Sequence, residues 1–208
     1  MPQTIVTPSA LGSNLRSLAK RNADLAQKLG EVQPRPDVTF VQSRQGVAAV
    51  SLADMPLCSR HRPLDEAKRL TDGIDLVEHA VVVVLGFAAG YHVQHLAQRY
   101  GKAGVIVVFE PDVALMRAVF ERIDHSSWLA DAIVVWITDP TDRGALGKKL
   151  EGAEAIIAQG VAFLEHPPSR QRLAQESKQF TTMFSEYVST AKTTLMTTLI
   201  RSVDTVRN

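Results

Sequence analysis

Apolar positions change their spacing along this chain, and each change marks a change of element. Leu11, Leu15, Leu18, Leu25 and Leu29 fall four or three residues apart, with Asn22 standing where one more apolar residue is due. That repeat is a helix with one apolar seam. It predicts a single helix over 9–29, lying either on its own domain or, through the seam, on a second copy. Two prolines within Gln33–Asp37 end it. Val38–Gln42 and Val47–Leu52 then flank Ser43-Arg44-Gln45-Gly46, the pattern of a β-hairpin with glycine in the turn. Pro63 suits the first turn of a second helix, which Glu66, Ala67, Leu70 and Ile74 continue.

From Ala80 the apolar residues become continuous. Ala80–Leu85 and Val105–Phe109 are unbroken runs rich in valine, as strands buried on both faces require. Tyr91–Tyr100 and Asp112–Ile123 read as helices, with Asp112 placed to cap the second. Ile133–Ile137 is a third strand, Asp139–Leu150 a helix, and Ala155–Ala158 a weak fourth strand. Between them Asp124, Ser126 and Trp128 form a helix end and turn. Such alternation with short links predicts a parallel sheet with right-handed crossovers. After Val161–Leu164, Pro167 and Pro168 are expected to hold Glu165-His166 in an extended segment. Helix follows from Ser169, carrying Leu173, Phe180, Phe184, Val188, Leu195, Leu199 and Val203. The expected fold is α/β: a small parallel Rossmann-like sheet, with an N-terminal helix and hairpin before it and long helices after it. Residues 1–60 form the appendage, 61–165 the sheet domain and 166–208 a helical segment. No stop signal follows Val206-Arg207-Asn208, so a downstream domain is expected.

Composition narrows the classes. The chain has 208 residues, 45% of them hydrophobic, enough for one domain with a real core. Its formal net charge is +1 and no long basic run occurs, so neither nucleic acid nor a membrane is an expected partner. One cysteine, Cys58, excludes a disulfide framework and a multi-cysteine zinc site, and fits a reducing compartment. The first thirty residues lack a signal pattern, and the longest apolar run is far short of a bilayer span. A soluble cytoplasmic protein is expected.

The candidate chemistry centres on the turn Leu85-Gly86-Phe87-Ala88-Ala89-Gly90-Tyr91-His92. In a doubly wound sheet ligands sit beyond the carboxyl ends of the strands, where the first crossover turns. Gly86 permits a sharp exit from the strand, and Gly90 permits close approach at a helix start whose N–H groups favour anions. Glu110 ends the next strand, where a carboxylate can accept bonds from ribose hydroxyls. Either this turn holds a nucleotide-type ligand, or the glycines serve only the turn and Glu110 caps or pairs locally. His92 and His95 share a helix face, but no third ligand has matching spacing, so no metal is expected. Arg60 or Arg62 could fork onto a phosphate or carboxylate, or sit in a solvated basic turn. His166 is the one candidate base, against the structural role more common for a lone histidine. Cys58 has no evident base and reads as packing.

Two resemblances attach to these residues. VVVVLGFAAGYHVQHLAQRY followed by VIVVFEPD resembles the first two motifs of S-adenosylmethionine-dependent methyltransferases. That likeness implies a pocket for S-adenosylmethionine lined by Gly86, Ala88, Gly90 and Glu110. Glu165-His166-Pro167-Pro168 also resembles the Asn/Asp-Pro-Pro-aromatic motif of amino-methyltransferases, with His166 and Ser169 as departures. The closer likeness is of SRHRPLDEAKRL, LGFAAGYHVQHLAQRY and VIVVFEPD to the N-terminal region of motility accessory factor proteins. These are flagellin glycosyltransferases that carry the domain of unknown function 115. Ser59, Pro63, Glu66, Ala67, Gly86, Gly90, Tyr91, His92, Glu110, Pro111 and Asp112 match the pattern, and Ala88 departs where it has glycine. The likeness implies a nucleotide-binding-like module, non-catalytic alone, ahead of a downstream catalytic domain. It implies a pocket from Gly86, Phe87, Ala88, Gly90, Tyr91, His92 and Glu110, for a nucleotide sugar if it is filled. An assembly module with a degenerate Rossmann fold is the remaining alternative.

Overall fold

The computed structural model describes residues 9–207, with side chains as far as Thr197. Two short helices come first, α1 (Leu11–Ala19) and α2 (Ala23–Glu31), rather than one. Asn22 leaves the helical region (φ −139°) and its side-chain amide donates to the Val134 carbonyl, 3.2 Å away. A residue whose side chain bonds the backbone elsewhere interrupts a helix more readily than it continues one. Leu18, Leu25 and Leu29 are buried, and α1 and α2 pack on α5 (Val113–Arg122) and on α6 (Ser126–Asp131) of the same chain.

Strand β1 (Val38–Gln42) pairs antiparallel with β2 (Ala48–Leu52), and β2 with the short β3 (Met55–Pro56). Helix α3 (Pro63–Asp72) follows, with proline in its first turn. The parallel sheet then alternates β4 (Val81–Leu85), α4 (Tyr91–Tyr100), β5 (Val105–Phe109), α5, α6 and β6 (Ile133–Ile137). Next come α7 (Arg143–Lys149), α8 (Glu154–Gln159), β7 (Val161–Glu165), α9 (Pro167–Arg172) and α10 (Ala174–Arg207). Strand order is β6-β5-β4-β7.

Period-two alternation sorts the strand side chains. Val82, Val84, Ile106, Val108, Val134 and Trp136 face a core shared with α1, α2, the hairpin sheet, α4 and α5. Val81, Val83, Leu85, Val105, Val107 and Phe109 face the opposite core, closed by α7, α8 and α10. Every residue of β4 and β5 is buried. Each such valine contributes roughly 1.5–3 kcal/mol of burial. The result is a Rossmann-like α/β fold. Its first crossovers lie over one face and its last over the other, so the chain reverses direction between β4 and β7.

Four further expectations change. Ser126 and Trp128, expected in a helix end and turn, lie in the short helix α6. Residues 155–158 are helix, within α8, because Glu-Ala-Ile-Ile-Ala-Gln is rich in helix formers and Ile156 and Ile157 serve one side of a core. The fourth parallel strand is β7 instead. Pro167 and Pro168 do not hold an extended segment: they open α9, where their missing N–H groups cost nothing. The helix expected over 139–150 starts at Arg143, with Asp142 capping it. Helix α10 buries Phe180, Met183, Phe184 and Ala191, while Met196 is 61% exposed. Leu199 and Val203 lie outside the described side chains. Among the described residues, no helix is long and apolar enough to cross a membrane.

Candidate functional site

The turn after β4 depends on left-handed backbone. Gly86, Ala88 and Gly90 take φ of +99°, +47° and +79°. The three positive-φ positions alternate through Gly86-Phe87-Ala88-Ala89-Gly90, and Ala88 occupies the middle one without glycine's freedom. The Gly90 N–H donates to the Phe87 carbonyl (2.8 Å), closing a tight turn into α4. A Cβ on Gly90 would stand 2.5 Å from the Phe87 ring. That ring points into the core, in edge contact with Phe120, His125 and Trp136. Phe87 and Ala88 are fully buried, so neither lines a surface pocket.

The place where a ligand would sit, at the reversal between β4 and β7, is filled by α9. A Cβ on Gly86 would fall 2.1 Å from Ser169 Cβ and Oγ. Gly86 therefore does permit a close approach, but what approaches is the protein's own helix. His166 caps that helix: its Nδ1 accepts from the Ser169 N–H (3.4 Å) and lies 2.9 Å from Ser169 Oγ. The His166 ring stacks on His92 with centroids 4.7 Å apart and planes at 8°. His92 Nε2 lies 3.0 Å from the Gly86 carbonyl, so it carries the proton and donates. Burial pushes His92 down to about 4, against that hydrogen bond. It pushes His166 down to about 2, helped by His92 and Arg172 and opposed by a bond to the Leu57 carbonyl. A ring buried and neutral on both counts is a brace between segments rather than a base exposed to substrate.

Glu110 is completely buried. Its Oε2 accepts from the Phe87 N–H (3.0 Å) and its Oε1 from the Asp112 N–H (3.1 Å). Arg172 Nη2, from the end of α9, donates to both oxygens at 2.7 and 2.9 Å. A carboxylate has about four acceptor directions, and four contacts from three donor nitrogens take them here. Burial pushes the Glu110 carboxyl upward, and the Arg172 charge and the N–H groups pull against it. The chain of charge continues outward. Asp112 caps α5 through Oδ1 and takes Arg35 on Oδ2 at 2.8 Å, and Arg35 pairs with Asp37 at 2.7 Å.

Other signature residues join elements in the same way. The Tyr91 hydroxyl donates to the Ala48 carbonyl (2.7 Å), tying the turn to the hairpin sheet, and burial pushes its pKa up, keeping it protonated. Glu66 accepts from the Ser59 N–H (2.6 Å), and Ser59 Oγ accepts from the His61 and Arg62 N–H groups. Gln45 from the hairpin turn accepts from the Leu64 N–H, capping α3. Arg60 and Arg62 are exposed on that loop. Cys58 Sγ accepts from the Val50 N–H, and burial raises the thiol to about 11, which leaves it no nucleophile at neutral pH. The cavity between Leu57, Cys58, Glu66, Tyr91, His92 and His166 measures about 10 Å³, room for one water. His95 turns away, to Thr71 Oγ1, and no cluster of three metal-binding side chains occurs among the described residues.

Sequence reasoning assigned no site role to Arg172, Ser169, Arg35 or His125. His125 is buried between Ala89 and Trp128 and is pushed down to about 4 by burial. Only Ser169 had a signal, as the residue that departs from an aromatic after Pro-Pro. Arg172 lies 62 positions from Glu110 and nothing in their spacing pairs them.

No family model matches this chain, and no curated protein matches it. Among solved structures, the fold is similar to the MAf glycosyltransferase from Magnetospirillum magneticum AMB-1, with a TM-score of 0.54 and 12% identity. The match covers 84% of this chain and 35% of that one. The likeness is one of fold, and this chain spans about a third of that protein.

Proposed function

We propose that this chain is a glycosyltransferase-related module of the motility accessory factor type, one that positions a catalytic domain and carries out no transfer itself. The carrying observation is that α9 occupies the ligand position: Ser169 lies on Gly86, and Arg172 takes both oxygens of Glu110. Two things agree with this. The fold resembles part of a MAf glycosyltransferase. The residues that match the family pattern bind the hairpin, α3 and α9 to the turn after β4. Helix α10 follows α9 directly and packs along α7 and α8, so the seat of α9 helps to set the direction in which a following domain would be held. A sugar nucleotide or S-adenosylmethionine has no open acceptor at Glu110 in this arrangement.

The test is a titration of the ¹⁵N-labelled chain with uridine diphosphate N-acetylglucosamine and with S-adenosylmethionine, following the Phe87 and Gly90 amides. Phe87 donates to Glu110, so a ribose seated there must move its resonance. No saturable shift of these amides, and no hydrolysis or transfer of the sugar nucleotide by the chain alone, is the expected result. A saturable shift at Phe87, or turnover, overturns the proposal.

A further inference from the structure

A second opening lies at the carboxyl end of the same sheet, beyond β6. The 138–142 loop and the start of α7 face α10 across a groove of about 330 Å³, lined by Pro140, Thr141, Arg143, Lys178, Thr182 and Met183, with Gln179 beside them. Volumes of this size accommodate small ligands, and the carboxyl edge of a parallel sheet is where they collect. The side chains of Lys178 and Gln179 have no hydrogen-bond or ion-pair partner among the described residues. Arg143 pairs with Glu186 at 2.5 Å, but those side chains are 70% and 50% exposed. An exposed pair of that kind is weak and leaves most of the guanidinium N–H groups free. The nearby carboxylates face other work. Asp139 Oδ1 accepts from Thr141 N–H and Oγ1–H, and Asp142 Oδ1 accepts from the Ala145 N–H.

We infer that this groove binds a small phosphate ester of a polyol. The cations Arg143 and Lys178 suit the phosphate. Thr141 and Thr182 already donate their hydroxyl protons, to Asp139 and to the Lys178 carbonyl, so their oxygens are left to accept from ligand hydroxyls. Gln179 can do either. Met183 and Pro140 offer an apolar wall to a carbon skeleton. The lining contains no aromatic ring on which a base could stack, which separates this ligand from a nucleotide. The inference is independent of the closed crevice at Glu110, because different amides report the two places.

A ¹⁵N titration with glucose 1-phosphate, inorganic phosphate and glucose tests it. Glucose 1-phosphate should give saturable shifts at the Gln179 and Thr182 amides while Phe87 and Gly90 stay still. It should bind more tightly than inorganic phosphate, and glucose should not bind. Lys178→Gln and Arg143→Gln should each weaken binding about tenfold, the effect of one charge-assisted hydrogen bond. Lys102→Gln, an exposed cation elsewhere, should change nothing. These positions are on the surface, so unchanged melting curves will show that the variants fold. The site is refuted by the absence of saturable shifts up to about 10 mM ligand, or by Lys178→Gln and Arg143→Gln binding as the wild type does. Inorganic phosphate binding as tightly as glucose 1-phosphate overturns the polyol assignment.

Discussion

Beyond β4 and β5 the sheet ends in buried charge and stacked rings: Glu110 accepts from Arg172 and from two backbone N–H groups, His92 donates to the Gly86 carbonyl, and His166 stacks on His92. Beyond β6, one strand further along from β5, it ends in exposed cations and hydroxyls around an open groove. The two places have the same strand chemistry beneath them. The difference lies in what the chain does after its last strand. From β7 it enters α9, which drops into the crevice at the reversal point, and only then runs as α10 past the groove. A Rossmann-like turn therefore marks where a ligand could be, while the crossing segments decide whether the place is vacant.

The largest expected effect is that of pH. His92, His125 and His166 are held neutral, near 4, 4 and 2, against about 6.5 in an unfolded chain. Below pH 6.5 the unfolded chain takes up protons that the folded one refuses. Stability is thus complete above about pH 6.5 and is lost as pH falls toward 4, with each histidine adding a slope of up to about 1.4 kcal/mol per pH unit. Urea midpoints measured from pH 7.5 to 4.5 should drop steeply below 6.5. A level midpoint between pH 7 and 5 would mean that the rings protonate in place, and that the sealed end admits water.

Next comes Arg172→Met. It leaves Glu110 buried without its cation, a loss of about 3–5 kcal/mol in cases of this kind. Adding Glu110→Gln removes the stranded charge, so the double variant should recover a large part of that loss. Chemical denaturation of both variants measures it. If Arg172→Met costs under about 1 kcal/mol, the pair is not what holds α9 in its seat.

How much of this was legible beforehand follows from the range of each interaction. The continuous valine runs, the turn glycines and the Asp112 cap are local signals, and sheet, turn and cap stand where those signals put them. Ala155–Ala158 was a strand by length and apolarity, yet a four-residue apolar run does not separate strand from helix. Glu110 was recognisable as a polar residue at a strand end. Its partner was not, because an arginine 62 positions away has no periodicity to betray it. The sealing of the crevice was invisible for the same reason: Gly86 reads identically whether a phosphate or Ser169 comes close.

Gly86→Ala tests that closeness. The new Cβ would meet Ser169 at 2.1 Å and would force alanine to φ +99°. Overpacking and the backbone conformation together should cost about 2–4 kcal/mol. Shortening the neighbour with Ser169→Gly removes the clash and leaves the dihedral, so the double variant should recover only part. Full recovery would mean that the backbone at 86 is relaxed and that the glycine is there for space alone.

The smallest effect is expected at Ala88, the middle of the three left-handed positions of the turn. Ala88 stands at φ +47°, so glycine there relieves a left-handed alanine by about 1–2 kcal/mol. Against this, the Ala88 methyl is fully buried, and removing it gives up about 0.8 kcal/mol of burial. The unfolded chain also gains freedom worth about 0.4–1 kcal/mol. These terms nearly cancel, and Ala88→Gly should shift stability by less than about 1 kcal/mol in either direction. That near-balance explains how alanine can occupy the middle position of the turn, while a Cβ added at Gly86 would meet Ser169 and cost more. A loss above about 2 kcal/mol would show that the methyl packs more of the core than its size suggests, making Ala88 a support of the closed end. A comparable gain would show that the turn is strained, with α9 holding it in place.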